Sequence, residues 1–231
     1  MGSYLIDTYS DSEKSKRKNE MKITVFGASG SIGRLLVMRA LDKDYSVDVY
    51  VRNPEKIIIS NRNLKFIKGE LNETEKIQKA ISGADAVIST LGPPLVRKYE
   101  GTPILDGHKN IIKAMQSEKV TRFITLATPS VKFAEDKISA ATLIPGIAAR
   151  LLFPGAYREI TALGREVASS DLEWTIVRII APKNTPATGR VIVSFGETRI
   201  SWPISRMDIA EFMLNMVKDK KYIRSMPIIG S

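Results

Sequence analysis

The stretch Met21 to Leu41, MKITVFGASGSIGRLLVMRAL, restricts the possible folds more than any other part of the chain. A short apolar, β-branched run, Lys22 to Phe26, leads directly into Gly27-Ala-Ser-Gly30-Ser-Ile-Gly33. Ile32, Leu35, Leu36 and Ala40 then recur at helical spacing. A strand, a glycine turn and a helix in immediate succession open a βαβ unit. The spacing is G-x-x-G-x-x-G rather than G-x-G-x-x-G, but the physical roles are the same. Gly27 turns the chain at the strand end. Gly30 allows close backbone approach to a pyrophosphate, and Gly33 allows the helix to lie against the strand. The helix N-terminus then offers free N–H groups and partial positive charge to phosphates.

The alternation continues downstream. Ser46 to Val51, Leu64 to Ile67, Asp85 to Thr90 and Arg122 to Ala127 read as strands, with helical patterns over Asn72 to Ile81 and Gly107 to Ser117. The expected class is α/β, a Rossmann-type doubly wound parallel sheet with helices on both faces. Ala156 to Ser169 reads as a helix and Trp174 to Ile179 as a further strand. A small hairpin-helix extension is expected at the C-terminus. Its hairpin is Arg190 to Phe195, Gly196-Glu197 and Thr198 to Trp202, and Ser205-x-x-Asp208 forms a capping box before the helix. Ile209, Phe212, Met213, Met216 and Val217 make that helix's apolar face. The 231 residues, 43% of them hydrophobic, suit a single domain over 21–231, preceded by a polar tail over 1–20.

Composition removes several chemistries. There is no cysteine, so thiol nucleophiles and cysteine metal sites are excluded, and the single histidine, His108, makes a histidine-built zinc site an unpromising reading. No metal is expected. His108 is expected to face solvent. The net charge of +10 reads as a solvated basic surface, with nucleic acid an unlikely partner, because residues 1–20 balance four acids with four bases and no aromatic-and-basic cluster is present. The longest weakly charged stretch, Ile138 to Ala149, is too short to span a bilayer, and no targeting segment is evident, so the reading is cytoplasmic with no membrane partner.

The second strand bears on cofactor choice. Sites for NAD place an acid near the end of that strand to hold the ribose 2′-hydroxyl. Here Arg52 and Asn53 follow Val51, and Asp48 lies earlier. A guanidinium matches a 2′-phosphate in charge and geometry, so NADP is the expected cofactor.

The segments ITVFGASGSIG, VRNPEK, GADAVISTLGPP, WTIVR, PATGR and ISRMDIAEFML resemble the atypical short-chain dehydrogenase/reductase family. Within it the chain is most similar to the NmrA-like branch and to the biliverdin reductase B / flavin reductase group. The resemblance covers Met21 to Val217. It implies that Gly27, Ser29, Gly30, Ser31, Ile32 and Gly33 line the cofactor phosphates and that Arg52 holds the 2′-phosphate. It further implies that Glu70 and Leu71 flank the adenine, that Thr90, Leu91 and Gly92 pass beside the ribose, and that Ala127 and Thr128 face the nicotinamide.

The family's proton donor is a tyrosine with a lysine four residues on, which lowers its pKa. The candidate here is Tyr157, but Thr161 occupies the lysine position. The flavin-reductase group instead implies a serine or threonine after the fifth strand, matched by Thr128 with Ser130 close by. Its histidine after WTIVR is replaced by Ala181. The segment 129–160, rich in Ala, Leu and Ile, is expected to wall the substrate side. The function these features support is NADPH-dependent hydride transfer to a planar apolar acceptor such as a flavin or quinone. An NmrA-like NADP-binding sensor without turnover is the alternative.

Overall fold

The computed structural model describes residues 21–231, so the expected N-terminal tail lies outside the described residues. Eight strands form one sheet in the order β3-β2-β1-β4-β5-β6-β10-β8. These are β1 (Lys22–Phe26), β2 (Ser46–Val51), β3 (Leu64–Lys68), β4 (Ala86–Ser89), β5 (Arg122–Ala127), β6 (Glu173–Ile179), β8 (Ile192–Ser194) and β10 (Ile228–Gly230). All pairings are parallel except β10 with β8. Strand β4 pairs with β1 on the side away from β2, so the order reverses between them. In open α/β sheets that reversal is where the strand ends part and leave a ligand crevice.

Two apolar layers cover the sheet. On one face α1 (Ser31–Asp42) and α6 (Arg206–Asn215) bury Leu36, Val37, Ile209 and Met213 against Val25, Val49 and Ile88. On the other, α2 (Thr74–Ile81), α3 (Pro103–Ser117) and α5 (Pro154–Ala168) bury Ile77, Ile111, Met115 and Leu163 against Val87, Phe123 and Ile176. Met213 and Met216 are core residues, with Phe212 and Val217 packed beside them.

Several local expectations are corrected. The hairpin over Arg190 to Trp202 does not close on itself. Ile229 pairs with Val193, and Ser201 exchanges two backbone hydrogen bonds with Ser231, so the C-terminal strand separates the two arms. Ser205 does cap α6, through the Met207 N–H. Asp208, however, reaches across to Thr188 and Gly189 instead of closing a capping box. A second, two-stranded parallel sheet pairs β7 (Pro182–Lys183) with β9 (Ile204–Ser205). Ser139 and Thr142 form a capping box that starts α4 (Ala140–Leu152), with Pro145 inside the helix.

His108 is also corrected. Helix α3 begins at Pro103, four residues earlier than its apolar pattern suggests, so His108 lies inside the second turn and has no exposed surface. Its Nδ1 donates to the Ile104 carbonyl at 2.8 Å, which leaves Nε2 to accept from the Ser89 hydroxyl at 3.0 Å. Burial pushes its pKa down to about 4, against the opposing pull of the Ile104 carbonyl.

Candidate functional site

A cleft of about 680 Å³ opens at the carboxyl ends of β1 and β2, against the start of α3. Its floor is the glycine turn. Gly27 has φ +84°, a conformation that favours glycine, and a Cβ there would meet Thr90 Oγ1 at 2.6 Å. A Cβ at Gly33 would collide with the Gly27 carbonyl and with Thr90 Oγ1. Thr90 pins this turn by donating to the Gly27 carbonyl at 3.0 Å. The first and third glycines are therefore demanded by packing. Gly30 is different: the nearest atom to an added Cβ is the Gly27 carbonyl oxygen at 3.3 Å. Gly30 is the N-cap of α1, no side chain caps that helix end, and its first turn carries no acid. An uncapped helix N-terminus over a glycine turn presents free N–H groups and partial positive charge.

Of the residues singled out from the sequence, Gly27, Ser29, Arg52, Glu70, Leu71 and Leu91 line this cleft. Gly30, Ser31, Ile32 and Gly33 form the adjoining start of α1, and Gly92 is exposed with open space around it. Arg52 is exposed and makes no hydrogen bond or ion pair among the described residues, whereas Asp48 is buried and paired with Lys22 at 3.1 Å. The acid of β2 is thus engaged below the sheet edge. Asn53 follows Arg52 at the mouth and precedes a short 3₁₀ turn.

The sequence reading missed part of the wall. Phe26 and Tyr50 pack with their rings tilted by 41° and centroids 5.2 Å apart, and both face the cleft. Tyr50 donates to the Glu70 carbonyl at 2.7 Å, and burial, with lesser contributions from Glu73 and Glu70, pushes its pKa up to about 12. Asn110 on α3 donates to the Leu71 carbonyl at 2.8 Å. These contacts hold the Glu70-Leu71 bend against α3. Pro94, Tyr99 and Ile104 extend the wall as an apolar surface. The alternation of Phe26 and Tyr50 along their strands could have marked them as one face; nothing local marks Asn110.

The proposed chemical residues lie apart from that cleft. Ala127 ends β5 and is buried, and Thr128 follows it, half-buried. Tyr157, in the first turn of α5, lines a separate cavity of about 400 Å³ with Ser130, Lys132, Thr161 and Arg165. Thr161 donates to the carbonyls of Tyr157 and Arg158 at 2.8 and 3.0 Å, so it serves its own helix. Ser130 is 2% exposed and its hydroxyl has no partner among the described residues. Lys132 donates to the Thr142 carbonyl, and desolvation lowers its pKa. Among the described residues no cluster of three or more His, Asp or Glu could hold a metal, and no helix is long and apolar enough to cross a membrane.

A family model described as NAD(P)H-binding matches residues 27–220. The photosystem II assembly factor Ycf39 of Cyanophora paradoxa is 34% identical over 110 residues, which is 45% of this chain and 33% of that protein. The chain therefore matches only about a third of that relative's length. A short-chain dehydrogenase/reductase from Veillonella parvula, solved in complex with NADP, has a TM-score of 0.74 at 18% identity, covering 91% of this chain and 94% of the other. ChuY, an anaerobillin reductase from Escherichia coli O157:H7, has a TM-score of 0.72 at 17% identity, covering 91% and 97%. The glycine cradle, the strand reversal beside it and the match over residues 27–220 together make this chain a member of the NAD(P)H-binding Rossmann family.

Proposed function

We propose that the protein is an NADPH-dependent reductase whose acceptor is planar and apolar. The observation that carries the cofactor preference is the end of β2, where Arg52 stands at the cleft without a partner among the described residues and Asp48 is committed to Lys22. A guanidinium there neutralises a 2′-phosphate, whereas no acid is available to select a 2′-hydroxyl. The cleft suits the group. The Gly27 and Gly33 positions leave no room for side chains, and the uncapped start of α1 supplies N–H donors for a diphosphate.

Bound NADPH would supply the hydride, and the acceptor would take the one proton that completes its reduction from water. The protein's part is to bind and orient. Gly27, Ser29, Gly30, Ser31, Ile32 and Gly33 hold phosphates, and Thr90, Leu91 and Gly92 border the ribose. Glu70 and Leu71, with Tyr50 behind them, flank the adenine, and Thr128 orients the nicotinamide end. The segment 129–160 walls the acceptor side, with its helix α4 resting on the chain just after β5 at Gly146, where an added Cβ would lie 3.6 Å from the Ser130 Cα. Flavins and quinones tolerate the lack of a dedicated donor because their reduced forms delocalise charge, whereas an aliphatic ketone needs a donor in the transition state.

One observation favours the sensor alternative. Helix α5 carries no lysine, and Thr161 is occupied with backbone, so a tyrosine–lysine donor pair is absent from that helix. Steady-state NADPH oxidation with a panel of flavins, quinones and aliphatic ketones decides the matter. Oxidation with flavins or quinones and none with ketones is the expected result. Tight NADPH binding with no oxidation by any acceptor would replace the reductase by the sensor.

A further inference from the structure

We infer that α4 and the loop before Tyr99 form a docking surface for an anionic lipid bilayer. Six large aliphatic side chains on α4 and its lead-in are exposed: Ile138, Leu143, Ile144, Ile147, Leu151 and Leu152, with Ile138 at 89% and Leu151 at 75%. At 100° per residue Leu143, Ile144, Ile147 and Leu151 fall within about one third of the helix circumference. Thr142 and Gly146 lie on the opposite side and are buried. The helix is therefore inverted relative to an ordinary surface helix: its small residues face the protein and its large apolar residues face out. Exposed apolar area of this extent in one place marks an interaction surface.

A second apolar point lies on a loop that meets the chain just after α4. Leu95 and Val96 are exposed, and their loop runs to Tyr99, whose carbonyl is packed against Gly155, three residues beyond α4. The patch thus borders the cleft, whose wall includes Pro94 and Tyr99.

Charge selects the occupant. Residues 137–158 contain Lys137, Arg150 and Arg158 and no acid, and Arg97 and Lys98 follow Leu95 and Val96. Of the acids flanking these segments, Asp136 is paired with Arg178 and Glu159 caps α3. Only Glu100 and Glu135 remain to offset five cations. A second copy of the chain would bring like charges face to face across a two-fold axis. An anionic bilayer satisfies both features at once, with aliphatic side chains entering the acyl boundary and cations meeting headgroups. At 13 residues, α4 is about 20 Å long and lies in the interface rather than across it. Docking in this pose turns the acceptor side toward lipid, where apolar acceptors dissolve.

The test is co-sedimentation of the full chain with vesicles of phosphatidylcholine alone or of equal parts phosphatidylcholine and phosphatidylglycerol. Binding is expected to be at least roughly tenfold stronger to the anionic vesicles and to weaken as salt is raised. Ile147→Asp should weaken it roughly tenfold or more, and Arg150→Gln about fivefold, with NADPH affinity unchanged in both. These residues are exposed, so folding is not at risk. Absence of binding to either vesicle, equal binding to both, or indifference to Ile147→Asp would overturn the inference. A dimer by light scattering that Ile147→Asp dissociates would name a second copy as the occupant instead. The assay contains no acceptor, so its failure leaves the reductase reading standing.

Discussion

Arg178 and Asp136 meet as a two-pronged ion pair, with Nη2 2.6 Å from Oδ1 and Nη1 2.7 Å from Oδ2. Arg178 belongs to β6 and has no exposed surface, and its Nε and Nη1 also donate to the carbonyls of Met226 and Val131. Asp136 lies in the chain that leaves β5 and also accepts from the Phe133 N–H at 3.0 Å. One buried cation therefore ties the chain that leaves β5 to β6 and to the lead-in of β10.

Removing the acid should be costly. Asp136→Ala leaves a buried guanidinium without its counter-ion, which costs about 3–5 kcal/mol. Urea unfolding would show the loss, and hydrogen exchange at the Phe133 amide should accelerate as the 131–136 loop is released. A change under 1 kcal/mol would mean that the pair is replaced by solvent at little cost.

Cofactor preference should follow Arg52. Loss of a charge-assisted hydrogen bond costs about 1.5–3 kcal/mol, so Arg52→Ala should weaken NADPH roughly ten- to hundredfold and NADH little. Calorimetric titration of both cofactors provides the check. Equal affinities in the wild type would remove the basis for an NADP assignment.

His108 should make stability fall with acid. Its folded pKa of about 4 lies below the ordinary 6.5, so the unfolded chain binds the proton first as pH drops. The neutral form's contribution is complete above about pH 6.5, is lost between about 6.5 and 4, and levels off below. By pH 5 the loss is about 2 kcal/mol. Urea midpoints from pH 7.5 to 5 should drop more steeply in the wild type than in His108→Gln, where this titration is absent. Parallel curves would show that His108 can be protonated without leaving its site.

Tyr157 should be dispensable for turnover. It lines a cavity separate from the cofactor cleft and lacks a lysine partner on its helix. Tyr157→Phe should keep the reduction rate within a few-fold, whereas a dedicated proton donor contributes roughly 10²–10⁴. A hundredfold loss with unchanged NADPH affinity would restore a tyrosine-centred mechanism.

Periodicity and the glycine turn determined the α/β class and the positions of the strands up to β6, because strand and helix patterns depend on residues a few positions apart. The steric demand for glycine at positions 27 and 33 was legible for the same reason. Tertiary structure decided what depends on distant partners. Helix α3 starts at Pro103 because Glu159, from α5, accepts from the Ile104 and Leu105 N–H groups at 2.7 and 3.0 Å, and that early start buries His108. The C-terminal strand takes the place of a hairpin because Ile228 and Ile229 find β6 on one side and β8 on the other. The outward apolar face of α4 had the sequence of a core helix. Only the assembled fold shows that its small residues, Thr142 and Gly146, take the inner side while its leucines and isoleucines remain outside.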